Sequence, residues 1–241
     1  MAGRLDYGID APGVIRNLFV IGAVILAFAL FMPPFHLGAN AVVDPRGFWI
    51  TAASFLLCAA LMLLYSLYGK FRHRDRMLRL VGLKGDETVL DIGTGRGLLL
   101  VGAAKRLTTG RAIGLDTWNV EDLSGNARAR TEQVLAQEDV ANRCRLIERA
   151  AQDTGLPDAS FDVILSNLCL HNIYDRPTRD AACREIVRLL KPGGVAVISD
   201  FRHTTQYAEV LRGAGLTVRC SWHPLDTFPP LTIVEARKPT A

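Results

Sequence analysis

The residues Val89-Leu90-Asp91-Ile92-Gly93-Thr94-Gly95-Arg96-Gly97 form an apolar run that contains one acid and breaks into three glycines at alternate positions. Such a run binds ligands through main chain: glycine lets backbone approach closely, and a turn that opens a helix presents unpaired N–H groups. Dinucleotide sites use the same device with the spacing G-x-G-x-x-G. Here the spacing is G-x-G-x-G, and Asp91 stands just ahead of the turn. A carboxylate there would repel a pyrophosphate but tolerate a cationic amino group, held through water. A second candidate is Ser166-Asn167-Leu168-Cys169-Leu170-His171-Asn172, where hydroxyl, amide and imidazole groups follow another apolar run. His171 could take the proton released by an O–H, N–H or S–H nucleophile, since imidazole changes charge near neutral pH. Packing or capping beneath a ligand is the equal alternative. Cys169, between two leucines, reads as a small packing residue.

The elements that must position these groups follow from period and punctuation. From Thr88 onward, short apolar runs alternate with amphipathic stretches, the pattern of a parallel sheet with crossover helices. Strands are expected near 88–92, 111–116, 144–148, 161–166, 195–200, 217–221 and 231–237, and helices near 97–106, 126–138, 178–190 and 205–214. Thr109-Gly110, Lys191-Pro192-Gly193-Gly194 and the pair Gly213/Gly215 supply the breaks between them. The fold class is therefore α/β, with a seven-stranded Rossmann-like sheet.

Both details of the glycine turn favour S-adenosylmethionine over a dinucleotide. The chain resembles the class I methyltransferases that use this cofactor, particularly the ubiquinone and menaquinone methyltransferase branch. The resemblance spans about residues 75–239 and rests on four motifs in the family's order: Asp91 to Gly97, Ile113-Gly114-Leu115-Asp116, Leu156-Pro157 through Asn167, and Leu189-Leu190-Lys191-Pro192-Gly193-Gly194. It implies that Asp91, Gly93, Thr94, Gly95 and Gly97 line the cofactor. Asp116 would accept from both ribose hydroxyls, with Thr117 beside it, and Ser166 and Asn167 would lie by the methionine half. His171 and Asn172 would stand closer to the acceptor. In the family, an acid four positions before the Leu-Pro pair accepts from the adenine amino group; Gln152-Asp153 stand there instead. Either Gln152 contacts adenine through its amide oxygen, or a shifted loop brings in Asp153, the unambiguous acceptor. Trp118 and Asp122 could wall the pocket, Trp118 either over adenine or in ordinary packing.

The remaining third of the chain has another character. Between Arg16 and His36 lie 19 uncharged residues, and Gly47–Gly69 form a second uncharged stretch of 23. A hydrocarbon core of about 30 Å needs about 20 apolar residues in a helix, so both stretches qualify as transmembrane helices, near 15–35 and 47–68. A cleavable signal is disfavoured, because Pro33-Pro34 replaces the small residues of a cleavage site. The net charge of +4 arises within residues 70–80, where Lys70, Arg72, Arg74, Arg76 and Arg79 face Asp75 alone. The loop between the spans has only Arg46, so the positive-inside rule puts both termini and the catalytic domain in the cytoplasm. The expected organisation is a hairpin over 1–69, a basic juxtamembrane linker and helix over 70–87, and a methyltransferase domain over 88–241.

Five scattered cysteines without a C-x-x-C pair give neither a metal site nor a disulfide framework. Residues 81–241 balance 20 basic against 20 acidic side chains, which argues against nucleic acid as a partner. The expected partners are a lipid bilayer and a small or lipid-soluble methyl acceptor; the hairpin would also allow oligomers. The competing class is a membrane-tethered cofactor-binding sensor or scaffold without turnover.

Overall fold

The computed structural model describes residues 7–38, 41–119 and 127–240. The chain divides into a hairpin unit, Ile9–Tyr68, and a catalytic unit formed by Gly69 onward together with Tyr7 and Gly8.

In the hairpin unit, α1 (Pro12–Phe31) and α2 (Trp49–Leu64) are joined through two short antiparallel strands, β1 (Phe35–Leu37) and β2 (Ala41–Val43). Proline at the first position of α1 lacks only an N–H that would have no helical partner, and Pro33-Pro34 prevents the helix from continuing. The first helix thus starts and stops earlier than the expected 15–35. The two helices approach closely at Gly22, where an added Cβ would lie 2.9 Å from Leu56. Their apolar stretches are only 17% and 22% buried, and Phe19, Val24, Leu30, Phe31, Ile50 and Leu57 point outward. By length and composition, α1 and the continuous helical run Pro45–Val81 that contains α2 are long and apolar enough to cross a membrane.

The catalytic unit begins with α3 (Lys70–Val81), followed by β3 (Thr88–Ile92), α4 (Leu98–Ala104), β4 (Arg111–Asp116), α5 (Arg128–Gln137), β5 (Cys144–Glu148), β6 (Phe161–Asn167), α6 (Arg176–Leu189), β7 (Leu190–Asp200), α7 (Thr204–Gly213), β8 (Thr217–His223) and β9 (Leu231–Arg237). The strands form one sheet in the order β5-β4-β3-β6-β7-β9-β8, parallel except for β9. Alternate residues of the central strands feed two cores. Val89, Val163, Leu165 and Val197 join Met77, Leu78 and the α4 side chains on one face; Leu90, Ile164 and Ile198 join Ile186, Leu189 and Leu211 on the other. Sequence order reverses between β3 and β6, and ligands of open α/β sheets bind at such a switch point, outside the carboxyl ends of the strands.

In the catalytic unit, two elements differ in kind from the sequence expectation. The segment Lys191-Pro192-Gly193-Gly194 is the entry of β7 rather than a turn before it. A register shift between Phe161 and Val163 absorbs the extra residues, and Gly193 adopts a φ of 79°. The helix α3, rich in basic residues, is built into the catalytic unit. Lys70 is buried with its ammonium donating to the Gly8 and Tyr7 carbonyls, and Arg76 pairs with Asp226, so these charges face protein; Arg72 and Arg79 are exposed. Tyr7 packs edge-on against Phe71 and donates its hydroxyl to Glu138 at 2.6 Å.

Candidate active site

The glycine turn leaves β3 as a tight knot of main chain. Gly93 and Thr94 donate to the Leu115 carbonyl at 2.8 and 3.2 Å, and Gly97 donates to Thr94 at 2.7 Å. Gly93, Gly95 and Gly97 have φ of 73°, 48° and 84°, a region where a side chain brings strain. At Gly93 space also forbids one, because a Cβ would overlap Cys169. The packing reading of Cys169 agrees with this placement.

Asp91 is 1% exposed and accepts a 2.8 Å hydrogen bond from the Thr94 hydroxyl, so it braces the turn from beneath. Burial, with a smaller push from the nearby Asp116 charge, raises its carboxyl to about 7, against the bond from Thr94. Two pH effects follow from this upward shift. The folded chain keeps a proton that the unfolded chain releases near pH 4, so stability without ligand falls as pH rises between about 4 and 7. Binding of a cationic ligand group beside Asp91 needs the ionised form and should weaken about tenfold per pH unit below 7. Calorimetric titration with S-adenosylhomocysteine at pH 5.5 to 8 checks the second effect; Asp91→Asn should flatten it, and a native profile that is already flat would reject it.

Asp116 ends β4. Its two carboxylate oxygens accept from the Gly95 and Trp118 N–H groups, each at 2.7 Å. Trp118 is 8% exposed with φ 47°, and its indole N–H donates to Thr131, whose hydroxyl donates to the Gly95 carbonyl. Trp118 is therefore a packing residue that ties the β4 loop to the glycine turn. Asp122 lies outside the described residues. Beyond Asp116, an open cleft of about 370 Å³ is lined by Thr117, Glu148, Arg149, Ala150, Gln152 and Asp153. Both alternatives for the adenine contact border this cleft. A turn with Asp153 N–H on the Ala150 carbonyl holds the two residues side by side.

At the end of β6, Ser166 Oγ and Asn167 Oδ1 are buried and find no hydrogen-bond partner among the described residues. Unpaired buried polar atoms are costly and rare, and two together at the switch point suit a polar ligand. The next residues enter a short helical turn, Leu170–Asn172, which carries His171. Its ring stands 2.9 Å from Asp200 through Nδ1, an electrostatic contact rather than an aligned hydrogen bond, and edge-on to Phe201 at 4.6 Å between centroids. Asp200, fully buried at the end of β7, also accepts from the His171 and Phe201 N–H groups. Asp200 and Phe201 thus hold the imidazole and leave Nε2 as the nitrogen turned away from the carboxylate.

Two residues of this edge escaped sequence reasoning. Asp200 had the available signal of an acid ending a strand beside β6. His73 lay hidden in the basic run, yet its spacing from Lys70, Met77 and Leu78 is that of one buried helix face. It is 1% exposed, with Nε2 at 2.7 Å from Ser199 Oγ and Nδ1 unpartnered among the described residues. Burial, then the Arg76 and His223 charges, push it down to about 4, so it is neutral at physiological pH.

Comparison with known proteins places this geometry. Residues 90–198 match the methyltransferase domain family. An uncharacterised methyltransferase of Mycobacterium bovis is 30% identical over 177 residues, which cover 68% of this chain and 81% of that protein. The chain belongs to the S-adenosylmethionine-dependent methyltransferases. A ubiquinone/menaquinone biosynthesis C-methyltransferase of Hydrogenovibrio crunogenus is 30% identical over 132 residues, 54% of this chain and 48% of that one. The crystal structure of an S-adenosylmethionine-dependent methyltransferase from Aquifex aeolicus shares the fold, with a TM-score of 0.55 at 20% identity over 68% of this chain and 88% of that one. The cofactor of this methyltransferase is S-adenosylmethionine, and the positive-φ glycines, the Asp116 carboxylate and the unpaired Ser166 and Asn167 atoms suit its ribose and amino-acid parts.

Proposed function

We propose that this methyltransferase is anchored in a membrane by α1 and α2 and methylates a small or lipid-soluble acceptor at the cytoplasmic face. The observation that carries the reading is the outward apolar surface of two helical stretches of which only 17% and 22% is buried. Surfaces of that extent are characteristic of a membrane or a partner. The basic residues after α2, against Arg46 alone between the spans, support a cytoplasmic catalytic unit. An apolar acceptor such as a quinone-like ring or a lipid headgroup fits an enzyme held at that surface.

When bound, S-adenosylmethionine supplies an electrophilic methyl group on a sulfonium sulfur, which leaves as a neutral thioether. The chain's own task is alignment and exclusion of water. Main chain of Gly93–Gly97 and the carboxylate of Asp116 fix one end, Ser166 and Asn167 the other, and Nε2 of His171 receives the proton that an O–H, N–H or S–H acceptor gives up. Incubation of membranes containing the full chain with methyl-labelled cofactor and a native lipid extract tests the proposal. Label in an organic-soluble product is expected. No label above that of membranes lacking the chain, in either the organic-soluble or the water-soluble fraction, would overturn it.

A further inference from the structure

The large apolar side chains exposed on the catalytic unit are not scattered. Among the described residues they are Tyr174, Phe201, Trp222 and Leu225, and two of these, Tyr174 and Leu225, are 98% and 97% exposed. Tyr174 follows β6, Phe201 follows β7, and Trp222 and Leu225 stand at the end of β8 and just beyond it. Because β9 runs antiparallel to both β7 and β8, the ends of β6, β7 and β8 share one edge of the sheet, and Asp200 and Trp222 lie level across Thr232. That is the carboxyl edge, where His171, Asn167 and the glycine turn also stand.

The chain enters and leaves the catalytic unit at the same edge. Gly8, the last residue before the hairpin unit, lies against the side chain of Arg96, a residue of the glycine turn, since an added Cβ would meet its guanidinium at 2.6 Å. Lys70, one residue after the hairpin returns, donates to the Gly8 carbonyl. One turn further along α3, His73 touches Ser199 near the end of β7, whereas the Leu80 carbonyl at the other end of α3 accepts from Arg237, on the amino edge. The helix therefore starts at the carboxyl edge. Arg72, in its first turn, and Arg202, beside Phe201, are exposed there as well.

We infer that the carboxyl edge is the face this enzyme turns to the bilayer, with Tyr174, Phe201, Trp222 and Leu225 seated at the headgroup boundary and the acceptor admitted between them from the lipid. Aromatic side chains favour that boundary, and arginines beside them suit anionic headgroups. The chain passes to and from the hairpin unit through residues held at this edge, Gly8 and Lys70. The inference rests on the anchoring proposed above and adds the orientation of the site.

The test places the photo-crosslinking residue p-benzoylphenylalanine at single positions of the full chain, reconstituted in vesicles of phosphatidylcholine and phosphatidylglycerol. Position 57 lies on the outward face of α2, positions 222 and 225 lie on the rim, and exposed position 109 lies on the amino edge ahead of β4. Lipid adducts at 57, 222 and 225 with none above background at 109 are expected. Adducts at 57 but not at 222 or 225 would overturn the inference and leave the anchoring intact. No adduct at 57 would remove both. Crosslinks from 225 to a second polypeptide in place of lipid, or equal lipid adducts at 109, would also overturn it.

Discussion

Replacement of His171 by alanine is expected to lower methyl-transfer turnover by about 10²–10⁴-fold, the scale of general-base catalysis, while leaving cofactor affinity nearly unchanged. The ring is held on one side by Asp200, 2.9 Å from Nδ1, and by the edge of Phe201. Restraint of that kind keeps a proton acceptor in one orientation, which is what a positioned base requires. Its backbone N–H also binds Asp200 and does not depend on the side chain, so the local turn should survive the substitution. Asp200→Asn should lower turnover through His171, by less than the loss of the imidazole itself, because the amide oxygen can still accept one of the two main-chain bonds that the carboxylate takes from His171 and Phe201. Single-turnover kinetics and calorimetry on the same preparations separate the roles. Affinity and turnover falling together would make His171 a support of the pocket, and unchanged turnover would remove it from the chemistry.

The parts of the fold that were legible in the sequence are those set by local pattern. The starts of β3, β4, β5 and β9 follow from apolar runs bounded by glycine, aspartate or charge, and the short helix α4 from the alanine- and leucine-rich stretch after the third glycine. The entry of β7 was not legible. Proline and two glycines ordinarily announce a turn, and only the bulge opposite Phe161 lets them run as a strand. Likewise α3 looks like a charged collar in sequence, because the residues that receive its charges are remote: Gly8 for Lys70 and Asp226 for Arg76.

The same division holds at the site. Asp91, Asp116, Ser166 and Asn167 end strands, so chain order alone puts them on one edge. Their partners are a matter of folding. That Asp91 serves the Thr94 hydroxyl, and that Trp118 binds Thr131 rather than lying open, depend on how loops close over the turn. His73 and Ser199 stand 126 residues apart in the chain and His171 and Asp200 29 apart, distances over which periodicity carries no information. Gln152 and Asp153 remain joint candidates because both border the same cleft.

The second large effect concerns Asp116 and bears on where the cofactor lies. An ionised carboxylate offers about four lone-pair sites. The Gly95 and Trp118 N–H groups use two, one on each oxygen, which leaves one on each for the two hydroxyls of a ribose. Asp116→Ala removes the diol acceptor and also releases the N–H groups that shape the glycine turn. A hydrogen bond to a charged group contributes about 1.5–3 kcal/mol, so affinity should fall by about one to two orders of magnitude. The decisive measurement is calorimetric titration of S-adenosylhomocysteine into the full chain and into Asp116→Ala, with melting curves to show that both are folded. One site per chain, weakened about 10- to 100-fold in the variant, is the result predicted by a cofactor spanning the carboxyl ends of β3, β4 and β6. Equal affinity in two folded proteins would contradict it.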